Sequence, residues 1–127
     1  MEWPPGPILT PTETPWPASE KIPFKPEEDK EIDPQKIEIL EAIASECHAR
    51  NVRLIFIQSP LYTLVEQKKG VILMNEIATK YSAEFWNYVN DTTFIKPEYF
   101  KDIEHMNDEG ANEFTNLIAA RLETMIQ

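Results

Sequence analysis

Nine of the eleven prolines in this 127-residue chain fall within its first 34 residues, and that distribution decides where regular structure can begin. Prolines at positions 4, 5, 7, 11, 15, 17, 23 and 26 remove backbone donors and favour polyproline-like geometry. Residues 1–33 therefore read as an extended, proline-rich N-terminal arm. Trp3, Trp16 and Phe24 stand in it as isolated aromatics without periodicity. Such composition normally stays unpacked; the alternative is an arm lying over the rest of the chain, pinned by one of those rings. About 90 residues remain, which makes 34–127 a single unit near the lower end of domain size.

The patterns after the arm are those of an α/β chain. Asp33 is a suitable N-cap and Pro34 fits the first helical position, where its missing N–H costs nothing. Ile37, Leu40, Ala44 and Cys47 then form an apolar stripe that Ile39 and Ile43 widen. The helix should end near Arg50, with Asn51 as a left-handed cap. Residues 52–58 (Val-Arg-Leu-Ile-Phe-Ile-Gln) are mostly a continuous apolar run, the pattern of a parallel strand covered on both faces. Ser59-Pro60 stops it. A second helix is expected within 64–81, with Leu64, Val71, Met74, Ala78 and Tyr81 on one side and Gly70 marking a weak point or its true start.

Residues 84–89 (Glu-Phe-Trp-Asn-Tyr-Val) read as a second strand, so strand, helix and strand make a right-handed βαβ unit. A loop follows over Asn90, Asp91, Thr92 and Thr93, and Pro97 prevents helix just beyond it. Asn107 caps a last helix whose first turn carries Asp108 and Glu109, where negative charge suits the helix dipole. Ala111, Phe114, Ile118, Leu122 and Met125 are its expected buried stripe. Two parallel strands are not a complete sheet. The missing part is expected in an N-terminal half carried elsewhere or in a partner, a second copy included.

Charge and composition exclude some functions. A formal net charge of -10 repels a phosphate backbone, so nucleic acid is not an expected partner. No apolar run is long enough to span a bilayer. The N-terminus lacks a basic start followed by an apolar stretch, so no signal peptide is expected, which leaves the compartment open. Cys47, alone in the chain and on the apolar stripe, reads as a small core residue with no disulfide partner. His48, near a helix C-terminus, reads as structural or solvated.

The chemistry concentrates at 99–114, a polar loop running into an amphipathic helix. Asp102 and His105 stand three apart. Histidine serves as a general base near neutral pH, and an aspartate on one ring nitrogen fixes the tautomer and stabilises the imidazolium that forms. Alone this spacing is weak, because 22 acidic residues make an accidental pairing easy. The plain alternative is a solvated loop charge beside a residue that precedes a helix cap.

The block Tyr-Phe-Lys-Asp-Ile-Glu-His-Met-Asn-Asp-Glu-Gly-Ala-Asn-Glu-Phe resembles the last block of the SGNH (GDSL-type) hydrolases. In that family an Asp-x-x-His pair precedes Leu or Met, Asn, two variable residues, Gly-Ala and an aromatic residue. Asp102, His105, Met106, Asn107, Gly110, Ala111 and Phe114 occupy those positions. The resemblance covers about residue 35 to the C-terminus, and upstream of the block it is only supportive. It implies part of a three-layer α/β/α sandwich, flavodoxin-like in outline, with a small parallel sheet. It also implies an ester or acyl hydrolase, acting on an acylated small molecule or glycan. Asp102 would orient the base His105, with Asn107 and Gly110 supporting the site.

The chain departs from the family where it matters most. There is no Gly-Asp-Ser block, and the proline-rich arm stands where it should be. Ser59 is the best substitute nucleophile, because it sits at a strand exit; nothing nearby forms the strained elbow usual for such a serine. The alternative is that Ser59 merely ends the strand. Ser19, Ser45 and Ser82 are poorer. No cofactor is expected. Glu104, His105 and Asp108 crowd near Asp102, but one histidine with carboxylates is no defined metal ligand set. The expectation is an Asp-His half of a hydrolase site with little or no activity alone. The alternative, from a different class, is a non-catalytic module that assembles through its open sheet edge.

Overall fold

The structure is a computed structural model that describes residues 16–17 and 19–126. The arm as read from Met1 to Pro15, including Trp3, lies outside the described residues. Helix α1 spans Pro34–Ala49 and begins as its sequence dictates: the Asp33 carboxylate accepts the Gln35 amide at 2.9 Å, with Pro34 in the first turn. Its end is equally local. Asn51 adopts a φ of 57°, and the amides of Asn51 and Val52 turn back onto the carbonyls of His48 and Cys47.

Strands β2 (Ile55–Gln58) and β4 (Glu84–Asn87) pair in parallel, Ile55 opposite Glu84 and Gln58 opposite Asn87. Both are shorter than their apolar runs. Val52 is consumed in closing α1, and at the other end the Asn87 side chain accepts the Val89 amide at 3.0 Å and turns the chain away.

The larger departure from the sequence pattern lies between them. The second helix lies within the expected 64–81, but Leu64, read as part of its apolar side, is not on it. Leu64–Val65 forms β3, which pairs in parallel with β1 (Phe24–Lys25) of the arm, so helix α2 spans only Lys68–Lys80. The Leu64 amide donates to Pro23 O at 2.8 Å and the Glu66 amide to Lys25 O at 2.9 Å. Asn90 seals the far side of β3, its side-chain amide donating to Val65 O and accepting from Val65 N, both at 2.7 Å. The arm also supplies a cap that α2 lacks locally: the Lys69 amide donates to the Glu27 carboxylate at 2.7 Å.

Alternation along β2 and β4 sends side chains to two faces. On one, Ile55, Trp86 and Tyr88 pack with Phe94 and with Phe114, Leu117, Ile118 and Met125 of helix α3 (Asp108–Ile126). Arg121 lays its guanidinium 3.8 Å from the Trp86 ring centre and donates to the Tyr88 hydroxyl at 2.8 Å. On the other, Phe56 and Phe85 meet Leu40 of α1 and Met74 of α2 around a hollow of about 350 Å³.

The expected stripes are only partly the buried ones. Ala44 is buried, but Ile39 and Ile43 are exposed. On α3, Gly110 is buried rather than its neighbour Ala111, and Leu122 faces solvent. The described residues thus form a mixed α/β fold of three α-helices and two small parallel two-stranded sheets. None of these helices is long and apolar enough to cross a membrane.

Candidate active-site loop

The segment after β4 is built in three steps. Pro97 starts a single 3-10 turn, Pro97–Tyr99, because a proline without an N–H is at home in a first turn. Phe100, 2 % exposed, then plunges into a cluster with Tyr62 and Ile95. Finally the chain loops out and returns. Phe100 and Met106 form an antiparallel bridge, and the Lys101 amide donates to His105 O at 2.8 Å. Residues 101–105 are therefore a loop closed at its base and rooted in the core by Phe100.

Asp102 organises the interior of that loop. Its Oδ1 accepts the amides of Glu104 and His105, each at 2.8 Å, as a short acidic side chain does in a turn. The same oxygen lies 2.9 Å from His105 Nδ1, with Oδ2 at 3.0 Å. A carboxylate can only accept, so Nδ1 is the protonated nitrogen of the neutral ring and Nε2 carries the free lone pair. The Glu104 amide first, and the His105 ring second, hold the Asp102 carboxyl below the ordinary carboxylate range. Both side chains stay open to solvent, 56 % exposed for Asp102 and 70 % for His105.

Asn107 joins this loop to α3. Its Oδ1 accepts the Gly110 amide at 2.9 Å as an N-cap, while its Nδ2 donates to Glu98 O at 2.7 Å and its backbone amide to Tyr99 O at 2.9 Å. Gly110 is needed for a steric reason. A β-carbon there would overlap the Tyr99 carbonyl oxygen and lie 2.8 Å from Tyr99 Cβ. Asn107 and Gly110 therefore fix the helix start against the 3-10 turn and, through it, one end of the loop.

Ser59 is placed differently. It is exposed at the exit of β2 beside the fully buried Pro60, and among the described residues it forms no hydrogen bond to His105. Its segment does reach the loop, because the Tyr62 amide donates to Ile103 O at 3.0 Å. A hollow of about 260 Å³ lies beside that link, its lining including Phe24, Leu61, Val65 and Ile103. Among the described residues no group of three or more His, Cys, Asp or Glu is arranged to hold a metal ion.

Sequence reasoning did not connect Trp16 and Phe100 with this loop. Trp16 reaches across the chain, donating through Nε1 to Pro97 O at 3.0 Å and meeting the Tyr62 ring edge-on at 5.1 Å. Only its being an isolated aromatic in a proline-rich arm marked it in advance.

What the residues define is an α/β chain presenting an oriented imidazole on a loop that leads into its last helix. Compared with known proteins, it matches no family model, no curated protein and no solved structure.

Proposed function

We propose that this chain is the C-terminal part of an SGNH (GDSL-type) hydrolase-like domain, with His105 as the general base of an ester or acyl hydrolase. The observation that carries the reading is the Asp102 carboxylate on His105 Nδ1 at 2.9 Å, in a loop that Asn107 and Gly110 tie to the following helix. Four residues of one sequence block thus meet in one small structure, each with a defined job. Helices packed against opposite faces of the β2–β4 pair support the finer architecture, a three-layer α/β/α sandwich whose remaining strands extend the sheet.

The chemistry follows from the ring's orientation. A serine hydroxyl, supplied from outside the described residues, approaches Nε2. As its oxygen attacks the ester carbonyl, the proton passes to Nε2 and the Asp102 carboxylate stabilises the imidazolium. The tetrahedral intermediate collapses, and Nε2 returns the proton to the departing alcohol. Water, deprotonated by the same nitrogen, then releases the acid from the acyl-enzyme. Substrates are acylated small molecules or glycans, and no cofactor enters the cycle.

The test is direct. The chain alone should react slowly or not at all with a fluorophosphonate probe, whereas the reading requires a Gly-Asp-Ser-like block in the coding frame upstream of Met1 or on a partner. Fast labelling abolished by Ser59→Ala would overturn the missing-nucleophile part and make Ser59 the nucleophile. A complete enzyme whose activity survives His105→Ala would sink the reading itself.

A second reading belongs to a different class. Among the described residues the outer edge of β2 has no partner strand, and Ile57 beside it is 43 % exposed. An open, apolar strand edge invites pairing, which suits a non-catalytic module that assembles there.

A further inference from the structure

Among the described residues, the arm reaches the base of the loop through Trp16. Trp16 touches both flanks of the loop's base: its indole N–H donates to the Pro97 carbonyl, and its ring meets Tyr62 edge-on at 5.1 Å. Tyr62 in turn packs on Phe100 at 5.8 Å between ring centres and donates its amide to Ile103 O, between Asp102 and His105. Pro97 opens the 3-10 turn that receives Asn107 through Glu98 and Tyr99. Through Tyr62 these contacts reach Ile103 inside the 101–105 loop, and through Phe100 and Asn107 they reach its two ends.

Such a loop needs an external brace. The bonds inside it run from the Glu104 and His105 amides to Asp102 and from the Lys101 amide to His105 O, and they close only a few residues, while both side chains of the pair are solvated. A small solvated loop of this kind opens locally at little cost unless packed groups hold its ends. Tyr62 and Phe100 hold one side, and Trp16 covers Tyr62 while fixing Pro97 on the other. The arm is further secured nearby by the pairing of β1 with β3.

We propose that Trp16 is a positioning residue for the Asp102–His105 pair, and that the proline-rich arm is thereby part of the site. Its importance for turnover rests on the hydrolase reading; its physical content does not. With Trp16 in place, the loop is held in the geometry that keeps Nδ1 on the Asp102 carboxylate and Nε2 free. Without it, the loop samples open states in which neither amide nor ring is bound to Asp102.

The experiment compares the wild-type chain with Trp16→Ala and Trp16→Phe by NMR. The first readout is amide exchange at Glu104 and His105, referenced to the sheet amides of Glu84 and Tyr88. The second is the tautomer of the neutral His105 ring from its nitrogen shifts. Trp16→Ala should speed exchange at the two loop amides about tenfold, as expected for losing one edge-on ring contact and one hydrogen bond. It should also move the ring toward the Nε2–H tautomer, with the sheet amides unchanged. Trp16→Phe keeps the ring contact, loses the bond to Pro97, and should fall between.

Wild-type exchange and tautomer in Trp16→Ala would overturn the proposal. If that variant also loses protection at Glu84 and Tyr88, Trp16→Phe decides, and wild-type loop exchange in it counts against the brace. A hydrolase reading that failed by its own activity test would leave these measurements intact.

Discussion

Asp102 does two jobs with one oxygen. It closes the turn by accepting two amides, and it orients a histidine. The turn alone gives a full structural reason for an acidic residue here, so the pairing with His105 is what adds chemistry. Its pH dependence has a definite sign. The folded-state pKa of Asp102 lies below its unfolded value, so its contribution is complete above the ordinary carboxylate range and is lost as pH falls through the depressed folded value. A carboxyl-carbon NMR titration should therefore show Asp102 protonating below the ordinary carboxylate range, with the Glu104 and His105 amide resonances moving at the same midpoint. Amide resonances that titrate with the bulk carboxylates would show that the turn does not depend on Asp102.

The start of each helix shows which local signals survive tertiary packing. Asp33-Pro34 and Asn107 begin helices where their chemistry says they should, because a cap needs only neighbours two or three residues away. The start of α2 is different, since its upstream apolar residues are taken by the arm and Glu27 does the capping from 42 residues away. Two glycines make the contrast testable. Gly110→Ala forces a methyl into the Tyr99 backbone and should cost about 1–3 kcal/mol. Gly70→Ala, in the first turn of α2 with open space around the new methyl, should be neutral or stabilise by up to about 1 kcal/mol. Urea midpoints at constant slope measure both, and equal midpoints for the two variants would refute the packing around Gly110.

At the scale of the whole molecule, the apolar surface left open is the informative feature. Ile39 and Ile43 on α1, Val52, and Ile57 on β2 are all exposed. A larger sheet completed by further strands would cover part of this surface, and so would self-assembly. Light scattering separates the two outcomes for the isolated chain. Under the assembly reading the chain is oligomeric, Ile57→Lys shifts it toward monomer, and added salt strengthens association by screening a net charge of -10. A strictly monomeric chain at both low and high salt would remove the assembly reading and leave the hydrolase one.

Much of the candidate site was legible from residue order because its parts lie within a dozen positions. Asp102 and His105 are close along the chain, and Asn107 and Gly110 are a cap and the third residue of the helix it caps. Chain connectivity alone brings such groups together. What only the tertiary structure decided is what holds them: Trp16 against Tyr62 and Pro97, Phe100 in the core, and Phe24–Lys25 beside Leu64–Val65. Those contacts join residues some 40 to 80 positions apart, as the pairing of Phe24 with Leu64 and the bond from Trp16 to Pro97 show. No periodicity announces them, because a two-residue strand leaves no pattern and an isolated tryptophan fits any surface. Local hydrogen-bond chemistry is written in the order of residues, whereas the closing of long loops is settled by the shape complementarity of surfaces that exist only once the elements have formed.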